Sequence, residues 1–281
     1  MTLAGKKTCV AIPDTVLEEH DSIREKTAKL GQIARYCSLF GVDTIRVFHD
    51  PRGRGESNFI KKVLEYLETP QYLRRRLFPL SEDLRFAGLL PPLRIPSHVA
   101  KVPVSRLQAG EFREAVVLAD GFSVDAGLDV PVTLRKKEAP QRRVTVKITS
   151  ASPSGVQGMT VDRREVKTYW GYSVEVSGSG VLLADSVFPL KVATSRHGDP
   201  IARVARSLRI DLQEARGVML LFGSPSRGLF DSVGKDLRSR VNYVVNLFPE
   251  QNVFTARSEE AILSALYLVG LLASPELPSF V

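Results

Sequence analysis

The feature that most constrains this chain is a change of texture that happens twice. Thr8 to Val16 reads as a buried strand, with Cys-Val-Ala-Ile ahead of Pro13. Asp21 or Ser22 can cap the helix that follows. Its apolar positions Ile23, Leu30, Ile33, Ala34 and Cys37 keep helical spacing, and Gly41 closes it. Thr44 to Phe48 predicts a second strand, and Ser57 caps a helix with Phe59, Ile60, Val63, Leu64 and Leu67 on one side. A strand–helix–strand–helix order argues for helices layered on a parallel sheet. Near Leu89-Leu-Pro-Pro-Leu93 the pattern changes. Short segments rich in Val and Thr follow, at Glu114 to Ala119, Val130 to Leu134, Val144 to Thr149 and Tyr172 to Val176, broken by Gly, Pro and Asp. That spacing predicts a small antiparallel barrel or sandwich. The α/β texture returns with Leu190 to Thr194, Val218 to Phe222, Tyr243 to Leu247 and a last helix from Ser258 to Ala273. The expected fold class is therefore α/β, in two domains. Residues 1–89 and 181–281 form a parallel sheet with helices on both faces, and residues 90–180 form an inserted β domain.

Composition narrows the function classes. The 281 residues are 43% hydrophobic and 25% charged, as in ordinary globular chains. No apolar run approaches the ~18 residues of a membrane span, so no membrane partner is expected. Lys6 and Lys7 precede a run that Pro13 breaks, which is not a signal peptide. Two cysteines, Cys9 and Cys37, offer neither a disulfide framework nor a metal site, and a cytoplasmic location is the expectation. The net charge of +8 favours a polyanionic partner.

Two segments near the C-terminus pair a short apolar run with an abrupt turn: Leu220-Leu-Phe-Gly-Ser-Pro-Ser-Arg-Gly-Leu229 and Asn246-Leu-Phe-Pro-Glu-Gln-Asn-Val-Phe-Thr-Ala-Arg-Ser-Glu-Glu-Ala261. In open sheets, ligands sit where loops leave the carboxyl ends of strands. Gly223 and Gly228 either serve a tight turn or let backbone amides approach a ligand. Gln251, Asn252 and Thr255 offer donors and acceptors suited to an adenosine. Ser258 reads as the cap of the last helix, with Glu259 and Glu260 in its first turn. Thr194-Ser-Arg-His-Gly-Asp199 follows a strand and places Arg196 and His197 on the same rim, unless it is a plain connector. No Gly-x-Gly-x-x-Gly follows the first strand and no Gly-Lys-Ser/Thr ends the glycine loop, which argues against an ordinary nucleotide-dependent enzyme.

These two segments resemble the second and third motifs of the SPOUT class, the trefoil-knotted methyltransferases that use S-adenosylmethionine, mostly on RNA. Gly31-Gln-Ile-Ala-Arg-Tyr-Cys-Ser-Leu-Phe-Gly-Val-Asp43 is similar to the first motif, in which an arginine points into the active site; Arg35 holds that position. Related tRNA ribose methyltransferases carry an Asn six residues earlier, where this chain has Lys29, and this speaks against ribose chemistry. The whole chain is similar to the branch with an inserted oligonucleotide-binding-like barrel. The resemblance implies a knotted sheet and a homodimer. It implies S-adenosylmethionine held by Leu221, Gly223, Gly228, Asn246, Gln251, Asn252 and Thr255. It implies catalytic roles for Arg35 and Arg196, and methyl transfer to uridine N3 in ribosomal RNA, without a metal. The alternative is a non-catalytic RNA-binding or ribosome-assembly protein that keeps this fold.

The insertion carries the charge. Between Arg135 and Lys167 stand nine basic and three acidic residues. Arg135, Lys136, Lys137, Arg142, Arg143 and Lys147 are the expected RNA contacts, with Tyr169, Trp170 and Tyr172 as stacking platforms. The plainer reading is a solvated surface over core aromatics. Arg74-Arg-Arg76 is a second basic cluster, read as a solvated helix end.

Overall fold

A computed structural model describes residues 5–152 and 154–275. It divides into two compact units. One takes in the chain up to Glu65, Asp83–Pro91 and the chain from Tyr172 onward; the other is Tyr66–Glu82 with Pro92–Gly171.

The first unit begins with β1 (Lys7–Pro13), α1 (Ile23–Leu39), β2 (Thr44–Phe48) and α2 (Ser57–Glu68), which runs on into the second unit. Cys9 to Pro13 are buried at every position, as a central parallel strand covered on both faces must be. Ser22 caps α1, its hydroxyl accepting from the Glu25 amide. Gly41 has φ 67°, the left-handed turn that ends the helix.

The second unit contains α3 (Gln71–Leu77) and the strands β3 (Phe112–Val117), β4 (Ser123–Asp125), β5 (Val132–Leu134), β6 (Arg143–Ser152) and β7 (Gly155–Val161). These close into a five-stranded barrel in the order β3-β4-β5-β7-β6. Every pairing is antiparallel except β5 with β7, which is parallel and completes the ring. Its core is small and branched: Ala115, Val117, Val124, Val132, Val146, Ile148 and Val156.

The chain then returns through β8 (Ser173–Ser177), α4 (Ser179–Ala184), β9 (Leu190–Pro200), α5 (Ile201–Glu214), β10 (Gly217–Leu221), α6 (Leu229–Ser232), α7 (Leu237–Arg240), β11 (Tyr243–Asn246) and α8 (Ser258–Ala273). The sheet order is β11-β9-β10-β1-β2-β8, parallel throughout. One expectation is corrected here. Tyr172 to Val176, read as a barrel strand, is β8, an edge strand of the parallel sheet beside β2. The alternation of a half-covered edge strand looks the same in either sheet.

Among the described residues no helix is long and apolar enough to cross a membrane, and no group of three or more His, Cys, Asp or Glu could hold a metal. Cys9 and Cys37 are free and buried, and burial pushes both thiols well above their ordinary range.

Candidate cofactor site

A bulge within β9 and the loops that follow β10 and β11 line a cavity of about 270 Å³. This is close to the ~300 Å³ at the lower end of small-molecule sites. Each loop is shaped by a different device.

The first lies within β9. Val192 and Ala193 pair with Tyr243 and Val244, and Asp199 and Pro200 pair with the next two residues of β11. Thr194 to Gly198 therefore bulge out between two consecutive partners. A Cβ on Gly198 would lie 2.6–2.7 Å from the backbone of Val244 and Val245, so only glycine lets the strand rejoin its neighbour there. The bulge is braced on both sides. Thr194 Oγ1 donates to Leu221 O (3.1 Å), Asn246 Nδ2 to Arg196 O (3.1 Å) and Arg238 Nη2 to His197 O (2.9 Å). Arg196 and His197 consequently line the cavity. The sequence pattern predicts a loop after a completed strand here, but the strand resumes at Asp199.

The second loop, Phe222 to Gly228, folds back on itself. A Cβ on Gly223 would meet Arg227 O at 2.9 Å, while one on Gly228 would meet nothing within 4 Å. Gly223 is thus needed for the closed turn, without a positive φ, and Gly228 leaves open space on the cavity side. Side chains beyond β1 and β2 hold the loop down. Ser224 Oγ donates to Glu18 (2.7 Å), and Ser226 and Arg227 bond the same carboxylate. Arg227 also faces Asp50 at 3.4 Å. Asp50 is fully buried and accepts from Thr15 Oγ1 (3.1 Å), Ser232 Oγ (2.9 Å) and the Arg52 amide (3.0 Å). Burial pushes both carboxyls up, but the hydroxyl and amide hydrogen bonds and Arg227 outweigh it and hold Glu18 and Asp50 below their ordinary values.

The third loop runs from Asn246 into α8. Asn246 Oδ1 accepts from the Phe248 amide (2.9 Å), and Gln251 Nε2 donates to Val253 O (2.9 Å). Both amides shape the chain itself. Thr255 is exposed on the cavity wall, with no hydrogen-bond partner among the described residues. Phe222, Phe230, Phe248 and Phe254 supply the apolar lining, and Phe254 is fully exposed.

The structure brings Arg196, Gly223, Gly228, Asn246, Gln251 and Thr255 to one cavity. It does not bring Leu221, Asn252 or Arg35 there. The Leu221 side chain is sealed in the core with Met219 and Ala193, because successive side chains of β10 point to opposite faces. Asn252 faces a shallow neighbouring surface and donates to Glu250 O (3.3 Å). Arg35 lies on the exposed face of α1. The cap of α8 also differs from expectation. Arg257 is the cap residue, its amide donating to Glu260 (2.9 Å), while Ser258 is the first helical residue and buried. Glu259 is buried 3.3 Å from Lys29, which also pairs with Glu19, so Lys29 ties α1 to α8. Sequence reading missed Arg227, Glu18 and Asp50. The available signal was positional, since acids just after the first and second strands share the rim with the glycine loop.

In the barrel unit the expected RNA contacts divide. Arg135, Lys136, Lys137, Arg142 and Lys147 are exposed. Arg142 pairs with Glu138 (3.2 Å), and Lys147 sits 5.7 Å from the Phe112 ring. Arg143 is a correction. Its guanidinium is engaged inward by Glu68 (2.6 Å) and Glu114 (2.5 Å). Glu114 also accepts from Thr145 Oγ1 and Trp170 Nε1, each at 2.6 Å. Burial raises the Glu114 carboxyl, but Arg143, Arg163 and the Thr145 hydroxyl more than offset it and keep it ionised. Trp170 and Tyr172 are buried and present no stacking face. An unpaired buried acid is so costly that the nearest Arg and Trp turn inward to satisfy it.

The strand-end cavity offers a place for a small ligand, and the barrel presents exposed cations. Comparison with known proteins supplies the class. The model of the family described as "Putative RNA methyltransferase" matches residues 7–269, and the chain belongs to that family. It is a methyltransferase. It is 32% identical to the human 28S rRNA (uridine-N(3))-methyltransferase over 92% of this chain and 76% of that protein. The mouse protein of the same name gives 32%, over 92% and 74%. An uncharacterised protein of Halobacterium salinarum is 31% identical over 92% of this chain and 96% of its own length.

Proposed function

We propose that this chain is a SPOUT-class enzyme that moves a methyl group from S-adenosylmethionine to N3 of a uridine in ribosomal RNA, in the cytoplasm and as a homodimer. The single observation that carries the reading is the cavity lined by the β9 bulge and the loops after β10 and β11. Its walls fit such a cofactor: a partnerless Thr255 hydroxyl, open space over Gly228 and four phenylalanines. When bound, the cofactor supplies a methyl already activated on a sulfonium. The chain must hold the uracil in line and manage the N3 proton, and positioning alone accounts for about 7–11 kcal/mol in such reactions. Arg196 stabilises the negative charge that grows on the uracil as that proton leaves. His197 accepts from Arg196 Nε through Nε2 (3.3 Å), so its one lone pair is spent on orienting Arg196 at the cavity wall, and the N3 proton leaves to water. The base must be unpaired or flipped for N3 to be reached.

The knotted connection and the dimer belong to the same reading. α8 packs on both α1 and α5. α8 leaves Tyr267 and Leu271, one turn apart on the same face, exposed, and a second copy would cover them. That arrangement gives Arg35 a role in the partner's cavity. Nucleoside mass spectrometry of ribosomal RNA from cells with and without the gene tests the reading; unchanged 3-methyluridine would refute it. In the purified enzyme, Arg35→Lys should impair transfer while calorimetric binding of S-adenosylhomocysteine stays at the parent value, because a lysine cannot copy the planar two-point contact.

A further inference from the structure

We propose that the barrel unit holds a nucleotide of single-stranded RNA in a groove between α3 and residues 92–101, away from the basic cluster around Arg135. This rests on the RNA methyltransferase reading above. The groove has a volume of about 570 Å³ and is walled by Tyr72, Arg75, Arg94, Ile95, His98 and Lys101, among others, with no carboxylate in its lining.

The cations are the first argument. Arg75, Arg94 and Lys101 are exposed and make no ion pair or hydrogen bond through their side chains among the described residues. The neighbours of Arg75 on α3 are spent elsewhere. Arg74 bonds Thr69 O and Leu67 O and lies over the Tyr66 ring, and Arg76 bonds Asp125 at 2.6 Å. Of the three consecutive arginines, Arg75 is the one left to the groove. Three unneutralised cations around one concavity, with no acid between them, make a site for a phosphate chain.

The second argument is that the walls are fixed in advance. The Tyr72 hydroxyl donates to Glu114 O (2.7 Å), and a Cβ on Gly127 would lie 2.8 Å from the ring, so the ring lies directly on glycine backbone. Arg94 has φ 53°, a conformation that side-chain-bearing residues rarely adopt, and it is held between buried Leu93 and Ile95. Strain of this kind persists where the surroundings impose it, and it clusters at ligand contacts. The effect is to turn Arg94 outward to the groove while both neighbours stay in the core. Pro92, Ile95, Val99 and the Tyr72 ring provide an apolar floor suited to the face of a base, which a duplex would keep stacked inside itself.

The test uses the full chain and a short labelled uridine-rich single strand, titrated across salt by fluorescence anisotropy. The variant Arg75→Gln/Arg94→Gln/Lys101→Gln should lower the slope of log K against log salt by about 2, at ~0.7 per phosphate contact. Affinity near physiological salt should fall about tenfold or more by the same relation. Binding of S-adenosylhomocysteine and the melting temperature should not move. Arg94→Gly should melt higher yet bind RNA more weakly, which a purely structural Arg94 would not do. A triple variant with the parental slope and affinity overturns the groove alone. A parent protein that binds no RNA overturns the methyltransferase reading with it. An abasic strand that binds the parent as tightly as the uridine strand overturns the base contact and leaves only an anion surface.

Discussion

The strand-end rim of the α/β unit and the surface of the barrel unit use polar side chains in opposite ways. On the rim, most of them are consumed in holding loops. Asn246, Gln251, Ser224, Glu18 and Asp50 bond the protein itself, and the cavity is the space they keep open. On the barrel, the polar residues separate into a satisfied interior and a free exterior. Glu68, Glu114, Arg143 and Arg163 close on one another, while Arg135, Lys136 and Lys137 make no ion pair among the described residues. The contrast teaches that a polar residue beside a binding site need not touch the ligand. On the rim its work is shape, and on the barrel only the cations left outside the network can meet a polyanion.

The largest expected effect breaks the barrel's interior. Arg143→Met removes the shared partner of two buried acids and should cost about 3 kcal/mol or more by chemical denaturation, as removal of one member of a buried pair does. If stability holds and RNA affinity falls instead, Arg143 belongs with the exterior cations after all. Next comes the rim. Gly198→Ala drives a methyl into the β11 backbone and should cost about 1–3 kcal/mol with loss of cofactor affinity, since the bulge can no longer close. Parental binding of S-adenosylhomocysteine by a folded Gly198→Ala protein would separate the bulge from the cavity.

A pH experiment sharpens the same contrast. The folded-state carboxyls of Asp50 and Glu18 titrate below their ordinary values of about 3.9 and 4.3. Their stabilisation is therefore complete above those values and is lost as pH falls through the lower folded-state ones. Denaturation of Asp50→Asn should show a shallower loss of stability on acidification than the parent; equal slopes would mean that Asp50 contributes nothing through its charge. The smallest effect is on the exterior. Lys136→Gln/Lys137→Gln should leave stability within about 0.5 kcal/mol. It should lower the salt slope of RNA binding by about 1.4 if both lysines meet phosphates. A larger stability change would place these lysines in the interior class.

Much of the architecture is legible in the sequence. The continuous apolar runs around Cys9 and Leu220 mark buried parallel strands, and the Val- and Thr-rich segments mark the barrel. The rim was legible too, because glycine and polar loops after strands collect at one edge of a parallel sheet, and six of the residues expected there do line the cavity. β8 was misplaced because an edge strand has the same alternation in either sheet. The glycines at 198, 223 and 228 carried a signal without its meaning: one lets a strand close, one lets a loop turn, and one leaves room.

What the sequence determined by itself is what depends on local pattern: strand and helix positions, a basic inserted segment and the rim on which a small ligand would sit. What tertiary structure alone decided is pairing across long separations. Whether Arg143 faces RNA or Glu68 depends on partners 75 residues away. That Arg227 is held by Glu18 depends on one 209 residues away. That Arg75 is the free member of Arg74-Arg-Arg76 depends on Asp125, which takes Arg76. A charge in a sequence has no fixed role, because its energy is set by what lies within a few ångströms, and only the fold brings those groups together.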